Sequence, residues 1–307
     1  MAAEGYAFCF DWEVRLMVWL QGHLGDAALT AVSQLSVFGE QLLLIVILGF
    51  LYWCYDKKFG KYVGLGLLVA NVWNPMLKNV FLRRRPYFDH PDIQILRVVE
   101  PEADIYDIAA QGYSFPSGHS TCAAATYGGI ARYGKRRLLT VLAFVLPLLV
   151  GISRVTVGAH YPTDVLVGWL LGLLAIFIVP ALQRLIKSQW LFYLIILITC
   201  LPGLLYCRSE DYFTGLGMLI GFMAAVPFEE RFVRFENTRS PIRCLLRILG
   251  GGAGYFILNT VLKLPFSSDF LASGTMAALL VRLVRYAVIL FVLLALYPML
   301  FSRAEKA

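Results

Sequence analysis

Apolar residues gather along the chain into nine long runs separated by short polar stretches: Ser36 to Tyr55, Lys61 to Phe81, His119 to Tyr133, Leu138 to Val157, Pro162 to Leu185, Trp190 to Tyr206, Tyr212 to Phe228, Pro241 to Leu264 and Gly274 to Phe301. A helix that crosses a bilayer needs ~20 such residues, and several runs are near that length. Ahead of them, Phe10 to Val32 mixes Trp12, Leu16, Trp19 and Leu20 with Asp11, Glu13, Arg15 and Gln21. That mixture predicts an amphipathic helix lying at the membrane interface. The pattern as a whole predicts an all-α fold, a polytopic transmembrane helical bundle of about nine spans.

Composition agrees with a membrane protein. Of 307 residues, 59% are hydrophobic and 15% charged, whereas soluble domains are nearer half apolar and a quarter charged. The net charge of +7 therefore needs no nucleic-acid partner. Lys and Arg concentrate in cytoplasmic loops of membrane proteins, and here they recur at regular intervals. Lys57, Lys58 and Lys61 fill one connection, Arg132, Lys135, Arg136 and Arg137 a second, and Arg184 and Lys187 a third. Arg231, Arg234, Arg239, Arg243 and Arg247 flank a fourth, and Arg303 and Lys306 close the chain. With nine alternating spans all five fall on one side. The expectation is a multi-pass cell-membrane protein with its N-terminus outside and its C-terminus cytoplasmic. The N-terminal stretch lacks the basic region of a cleaved signal peptide. Six scattered cysteines with no CxxC spacing predict neither a disulfide framework nor a zinc site.

The candidate chemistry lies on the opposite, outer side. The longest polar loop, Leu82 to Gly118, begins with Arg83, Arg84 and Arg85 and ends in "YSFPSGHS", Tyr113 to Ser120. The next outer loop reads "SRVTVGAHYPTD", Ser153 to Asp164. Histidines, cations and a Ser-Gly turn at one surface point to an anion site, with phosphate the best fit. Lys78 and Arg85 are seven apart, two turns on a continuing helix. Arg offers a planar fork to phosphate oxygens and Lys a compact charge. Ser117 is placed to cap the helix that follows, whose free N–H groups bind anions, and Gly118 lets backbone approach closely. Pro162 suits the first turn of the next helix. Asp164, four residues after His160, is placed to hydrogen-bond its Nδ1 and leave Nε2 as a nucleophile. His119 is then available as general acid.

Three stretches, "KNVFLRRRP" (Lys78 to Pro86), "PSGH" (Pro116 to His119) and "SRVTVGAHYPTD", resemble in order and internal spacing the three signature motifs of the type 2 phosphatidic acid phosphatase family, which is similar in fold to vanadium haloperoxidases. The resemblance covers about Ser36 to Leu185. It implies a metal-independent phosphatase without cofactor, embedded in the lipid bilayer and acting on a lipid phosphate. His160 would form a phosphohistidine, Asp164 would orient it, and His119 would protonate the leaving group. Lys78, Arg85, Ser117, Gly118 and Arg154 would hold the phosphate oxygens. The implied organisation is an interfacial N-terminal helix over 1–35, a phosphatase core over 36–189, and a C-terminal transmembrane extension over 190–307 that matches no part of the core pattern.

Other readings stay open at this point. The same motifs suit a sugar-phosphate phosphatase or a lipid phosphotransferase. Nine spans suggest a transporter or flippase, but the last four runs carry few polar groups for one, Asn259, Arg282 and Arg285. Arg83 and Arg84 are assigned either to steering an anionic headgroup or to plain loop solvation. His90 reads as a loop residue and His23 as an interfacial one. Gly168 and Gly172 read as helix packing. Among lipids, a prenyl diphosphate, phosphatidate and phosphatidylglycerol phosphate are not separated, and nothing in the sequence sets the oligomeric state.

Overall fold

Each of the nine apolar runs folds as helix in the computed structural model, which describes residues 5–304. Lys306 and the side chain of Arg303 lie outside the described residues. The helices, in chain order, are α1 (Asp11–His23), α2 (Asp26–Gln34), α3 (Gln41–Gly49), α4 (Lys57–Phe81), α5 (Pro86–Asp89), α6 (Ile108–Gln111), α7 (Gly118–Gly134), α8 (Arg137–Thr156) and α9 (Pro162–Leu185). They continue with α10 (Gln189–Cys200), α11 (Gly203–Tyr206), α12 (Glu210–Phe228), α13 (Pro241–Val261), α14 (Ser268–Ala272), α15 (Met276–Phe291) and α16 (Met299–Ala304). No strand forms among the described residues.

Six stretches are long and apolar enough to cross a membrane: 137–156, 162–185, 189–206, 210–233, 241–261 and 276–301. A seventh is the pair Asp26–Gly39 and Gln41–Tyr55, bent by 42°. By length and apolarity the expected count of nine is not confirmed. The two runs left over are α4, diluted by Lys57, Lys58, Lys61, Asn71, Asn74, Lys78 and Asn79, and α7, only 17 residues long and rich in Gly, Ser and Thr. The predicted single N-terminal helix is also corrected. It breaks between His23 and Asp26 into α1 and α2, and Glu13 and Met17 on α1 are fully buried.

Two compact units result. The first comprises residues 1–44 and 73–177. On α8, Leu138, Val141, Phe144, Val145, Leu148 and Ile152 form one exposed apolar stripe, while Val150, Gly151, Arg154 and Val155 turn inward. Such a stripe is the face a membrane helix gives to lipid tails. The inner cluster of this unit joins Met17 to Ile93, Val155, Tyr161 and Val165.

The second unit comprises residues 45–72 and 178–307. Its tightest packing is α12 on α15. Cβ atoms at Gly217 and Gly221 would stand 2.2 Å from Leu283 O and 2.3 Å from Ala287 O. Lipid tails are as apolar as the side chains, so contact of this kind, rather than hydrophobic expulsion, holds membrane helices together. Residues Glu229–Val233 continue α12 for one wider turn, where buried Glu229 accepts from Lys57 Nζ at 2.9 Å. Residues 250–254, GGGAG, are helical within α13, and a Cβ at Gly251 would meet the Trp53 ring at 2.3 Å. Arg285 donates to Asn259 Oδ1 at 2.9 Å, and Arg282 pairs with Glu210 and lies 3.4 Å from Thr214 Oγ1.

Candidate active site

The first motif does not continue as a helix. Pro86 disfavours helical geometry in the residue before it, and Arg85 is extended at φ −73°, ψ 153°. The chain leaves α4 at Leu82, whose φ is +50°. Arg85 is therefore carried by a turn, not by the face of α4 that carries Lys78. Backbone bonds hold this turn on both sides. Tyr6 N–H donates to Leu82 O at 2.8 Å, Arg84 N–H to Tyr6 O at 3.0 Å, and Ser114 N–H to Arg83 O at 2.8 Å.

The three consecutive arginines go to three different places. Arg84 pairs with Asp89 near the surface. Arg85 is buried, donating to Gln111 O at 2.9 Å, Gly112 O at 3.0 Å and, beside the third motif, Ala159 O at 3.1 Å. Arg83 is only 1% exposed, so neither loop solvation nor headgroup steering describes it. Its guanidinium donates to Phe8 O at 2.7 Å, Thr163 Oγ1 at 2.7 Å, Asp164 Oδ1 at 2.7 Å and Glu13 Oε2 at 2.8 Å. It also lies over the Tyr161 ring at 3.9 Å. Glu13 in turn accepts from Thr163 N–H at 3.0 Å and Thr163 Oγ1 at 2.6 Å. Two buried carboxylates thus share one buried arginine.

The second motif opens α7. Ser117 is its N-cap, with Oγ accepting from Ser120 N–H at 3.4 Å, and Ser117 N–H donates to Asp164 O at 2.9 Å. Asn74, one turn before Lys78, donates to Pro116 O at 3.3 Å and Thr121 Oγ1 at 3.0 Å. Gly118 faces the same Asn74, since an added Cβ there would stand 3.8 Å from its Oδ1.

The third motif runs from the end of α8 into α9. Buried Ser153 and Ser36 share a hydrogen bond of 2.6 Å, and Arg154, 3% exposed, reaches Ser36 Oγ at 3.5 Å. The turn needs Gly158, at φ +79°, where a Cβ would stand 2.3 Å from Gln94 O. His160 N–H donates to Arg154 O at 3.2 Å. Pro162 begins α9, and Asp164 reaches back to accept from Tyr161 N–H at 2.8 Å, as a third-position carboxylate does in a capping box. Its Oδ2 stands 3.6 Å from His160 Nδ1, a close approach longer than a hydrogen bond. His160 is 2% exposed. Burial first, then the charges of Arg85, Arg154 and Lys78 and the neighbouring His119, hold its pKa well below the usual histidine value. The resting imidazole is neutral, the form in which it is a nucleophile.

Helix packing locks the second and third motifs together. Cβ atoms at Gly168 and Gly172 of α9 would come to 2.7 Å from Ser117 O and 2.5 Å from Thr121 O on α7. His90, by contrast, contacts Cys9 and the edge of Tyr161 in the loop, and His23 bonds Trp19 O on α1. Sequence reasoning missed Glu13, Asn74, Thr163 and Ser36. Of these only Asn74 carried a local signal, a lone amide in an apolar run one turn before Lys78.

Residues 59–187 match the PAP2 superfamily. Phosphatidylglycerophosphatase B of Bacillus subtilis (strain 168) is 33% identical over 177 residues, which is 53% of this chain and 77% of that protein. The chain belongs to the PAP2 superfamily. Decaprenylphosphoryl-5-phosphoribose phosphatase of Mycobacterium tuberculosis (strain ATCC 25618 / H37Rv) is 33% identical over 165 residues, 52% of this chain and 84% of that one. The crystal structure of Aquifex aeolicus LpxE superposes with a TM-score of 0.46 at 22% identity, covering 55% of this chain and 94% of that one. Residues 213–307 match a transmembrane extension of PAP2 superfamily phosphatases, so the C-terminal helices, unmatched by the core motifs, have a family pattern of their own. The PAP2 superfamily is a group of phosphoric ester hydrolases, and this member is a multi-pass membrane phosphatase.

Proposed function

We propose that the protein hydrolyses a lipid phosphate, a phosphomonoester or diphosphate, through a phosphohistidine on His160. The observation that carries this is buried His160, set between Arg154, whose carbonyl accepts its N–H, and Arg85, which bonds Ala159 O beside it. A neutral nucleophile ringed by cations suits an anionic phosphoryl group. Lys78, Arg85, Arg154, Ser117 and the backbone at Gly118 hold the phosphate oxygens. His160 Nε2 attacks phosphorus, the P–O bond to the lipid breaks, and the departing oxygen takes a proton from His119. Bound phosphate favours that proton on His119, because the anion stabilises an imidazolium. Asp164 holds the charge that develops on His160. Water then attacks the phosphohistidine, the P–N bond breaks, and the water proton returns to His119. The cations supply the charge stabilisation that a metal ion gives in other phosphatases, so the reaction proceeds without one.

The basic connections favour an outward-facing site and a cytoplasmic C-terminus. Residues 36–189 form the catalytic core and 190–307 an accessory helical extension. The relatives act, by their names, on phosphatidylglycerophosphate and on decaprenylphosphoryl-5-phosphoribose, and the lipid class is carried over to this chain. The deciding experiment is phosphate release by purified protein in excess EDTA. Its substrates are prenyl diphosphate, phosphatidylglycerol phosphate, phosphatidate, a sphingoid phosphate and glucose 6-phosphate. Release from the lipids with trapping of phosphohistidine is expected. Strict dependence on a divalent metal, or activity on glucose 6-phosphate alone, overturns the proposal.

A further inference from the structure

One cation at the rim of the site has no role in the scheme above. Arg97 lies in the long loop between α5 and α6, and its position is fixed. Ile93 is buried in the core of the first unit, Gln94 N–H donates to Gln21 Oε1 at 3.0 Å, and Leu96 N–H donates to Val157 O at 3.0 Å. The segment before Arg97 is thus pinned to the turn of the third motif. Its guanidinium then donates to Glu40 Oε1 at 2.5 Å. Glu40 directly follows Gly39, where an added Cβ would stand 3.0 Å from His119 O and 3.1 Å from His119 Cβ. Four residues before Glu40, Ser36 receives Arg154. The Arg97–Glu40 pair therefore stands next to the support of His119 and of Arg154.

Unlike Arg83, Arg85 and Arg154, Arg97 is open to solvent, with 41% of its side chain exposed. A guanidinium carries five N–H donors in a planar fork. Among the described residues Glu40 is its one hydrogen-bond partner, taking an N–H of a single terminal nitrogen. Its other donors bond no described residue. If His119 protonates the departing oxygen, the leaving group sits on the His119 side, the side to which Gly39 and the adjoining Glu40–Arg97 pair are packed.

We propose that Arg97, clamped by Glu40, binds a second phosphoryl group on the leaving-group side. The site then selects lipids whose departing portion itself bears phosphate over lipids with a single phosphomonoester. A diphosphate places that second group one bridging oxygen from the attacked phosphorus. A phosphomonoester with a phosphodiester a few atoms away places it slightly farther out. Phosphatidate has no such group. This inference rests on the phosphatase reading above.

Farnesyl diphosphate and farnesyl monophosphate differ only in the second phosphoryl group, so the ratio of their kcat/KM values reads Arg97 directly. A general loss of folding or activity scales both values and leaves the ratio unmoved. The unaltered enzyme should prefer the diphosphate. In Arg97→Gln the ratio should fall about tenfold, the low end for a charge-assisted hydrogen bond on a partly exposed arginine. Most of the fall should lie in KM for the diphosphate. Arg97→Lys, which keeps the charge without the fork, should fall between. A ratio unchanged in both variants, with the unaltered enzyme active, overturns the role of Arg97 and leaves the phosphatase reading standing. Absence of hydrolysis of either compound by the unaltered enzyme overturns both.

Discussion

Replacing Arg83 by Met tests the buried charge network with a side chain of similar length and no charge. Arg83 makes four donated bonds of 2.7 to 2.8 Å. The substitution strands Glu13 and Asp164, each 0% exposed, without a shared cation. Breaking a buried ion pair costs ~3–5 kcal/mol. The loss is held near ~4 kcal/mol for the two together, because one carboxylate escapes by taking up a proton. Glu13→Gln is milder. It keeps one of the two acceptor oxygens, turns an amide NH2 toward the donors on the other side, and leaves Arg83 paired with Asp164, at ~1–2 kcal/mol for a lost charged hydrogen bond. The double variant leaves one stranded carboxylate, Asp164, which still accepts from Tyr161 N–H, and should cost ~3 kcal/mol. The single costs sum to roughly 5–6 kcal/mol, so the two substitutions should be coupled by ~2–3 kcal/mol. Unfolding by SDS titration in mixed micelles, followed by near-UV circular dichroism, measures all three. Additive costs within ~0.5 kcal/mol would show that the two carboxylates do not share Arg83, and would refute the network.

Further outcomes can be measured on the same protein. His160→Ala should form no phosphoenzyme by rapid-quench trapping, whereas His119→Ala should lose most, roughly 10²–10⁴-fold, on a lipid alkoxide and far less on nitrophenyl phosphate. Phosphoenzyme in His160→Ala but not in His119→Ala would reverse the two roles. Because burial and neighbouring cations lower the His160 pKa, the acid limb of kcat/KM, corrected for substrate titration by phosphorus NMR, should lie below the usual ~6.5. The unfolded chain binds this proton and the native chain does not, so stability from His160 is complete above ~pH 6.5 and declines as pH falls below it. An acid limb above ~6.5 would contradict a buried neutral His160. Gly172→Ala puts a methyl 2.5 Å from Thr121 O, which should cost ~1–3 kcal/mol by overpacking and lower kcat up to ~10²-fold if α7 shifts by about 1 Å. Unchanged kcat would uncouple α7–α9 packing from the site. A cysteine at Asp92 in a cysteine-free background should react with an impermeant thiol reagent on intact cells, and one at Lys135 should not, the reverse pattern placing the site in the cytoplasm.

Apolar runs and local motifs carried most of the fold. All nine helical runs were visible because hydrophobic length is a property of contiguous sequence. Ser117 as N-cap and Pro162 as helix start were legible for the same reason, since each acts within one turn. The misreadings came from contacts that cross the chain. Glu13 looked like the polar face of an interfacial helix because its partners, Arg83 and Thr163, are 70 and 150 residues away. Arg83 was read as steering a headgroup or as loop solvation because nothing in "LRRRP" says which of three identical side chains turn inward. The helical link from Lys78 to Arg85 failed on one local feature, the constraint Pro86 places on Arg85. It was present in the sequence but outweighed by the seven-residue spacing.

The Glu13–Arg83–Asp164 network also sets an order of assembly. During synthesis Glu13 and Arg83 emerge first and can pair as soon as α4 has left the ribosome. Asp164 follows some eighty residues later, at the start of α9. Until then the arginine has one carboxylate instead of two, and the turn that presents His160 does not exist. Insertion of α9 is therefore the step that both supplies the second carboxylate and completes the reactive centre. A chain stalled or cleaved before α9 would leave Arg83 without its Thr163 and Asp164 acceptors, half of its donated bonds, a feature by which membrane quality control can distinguish it from the finished enzyme.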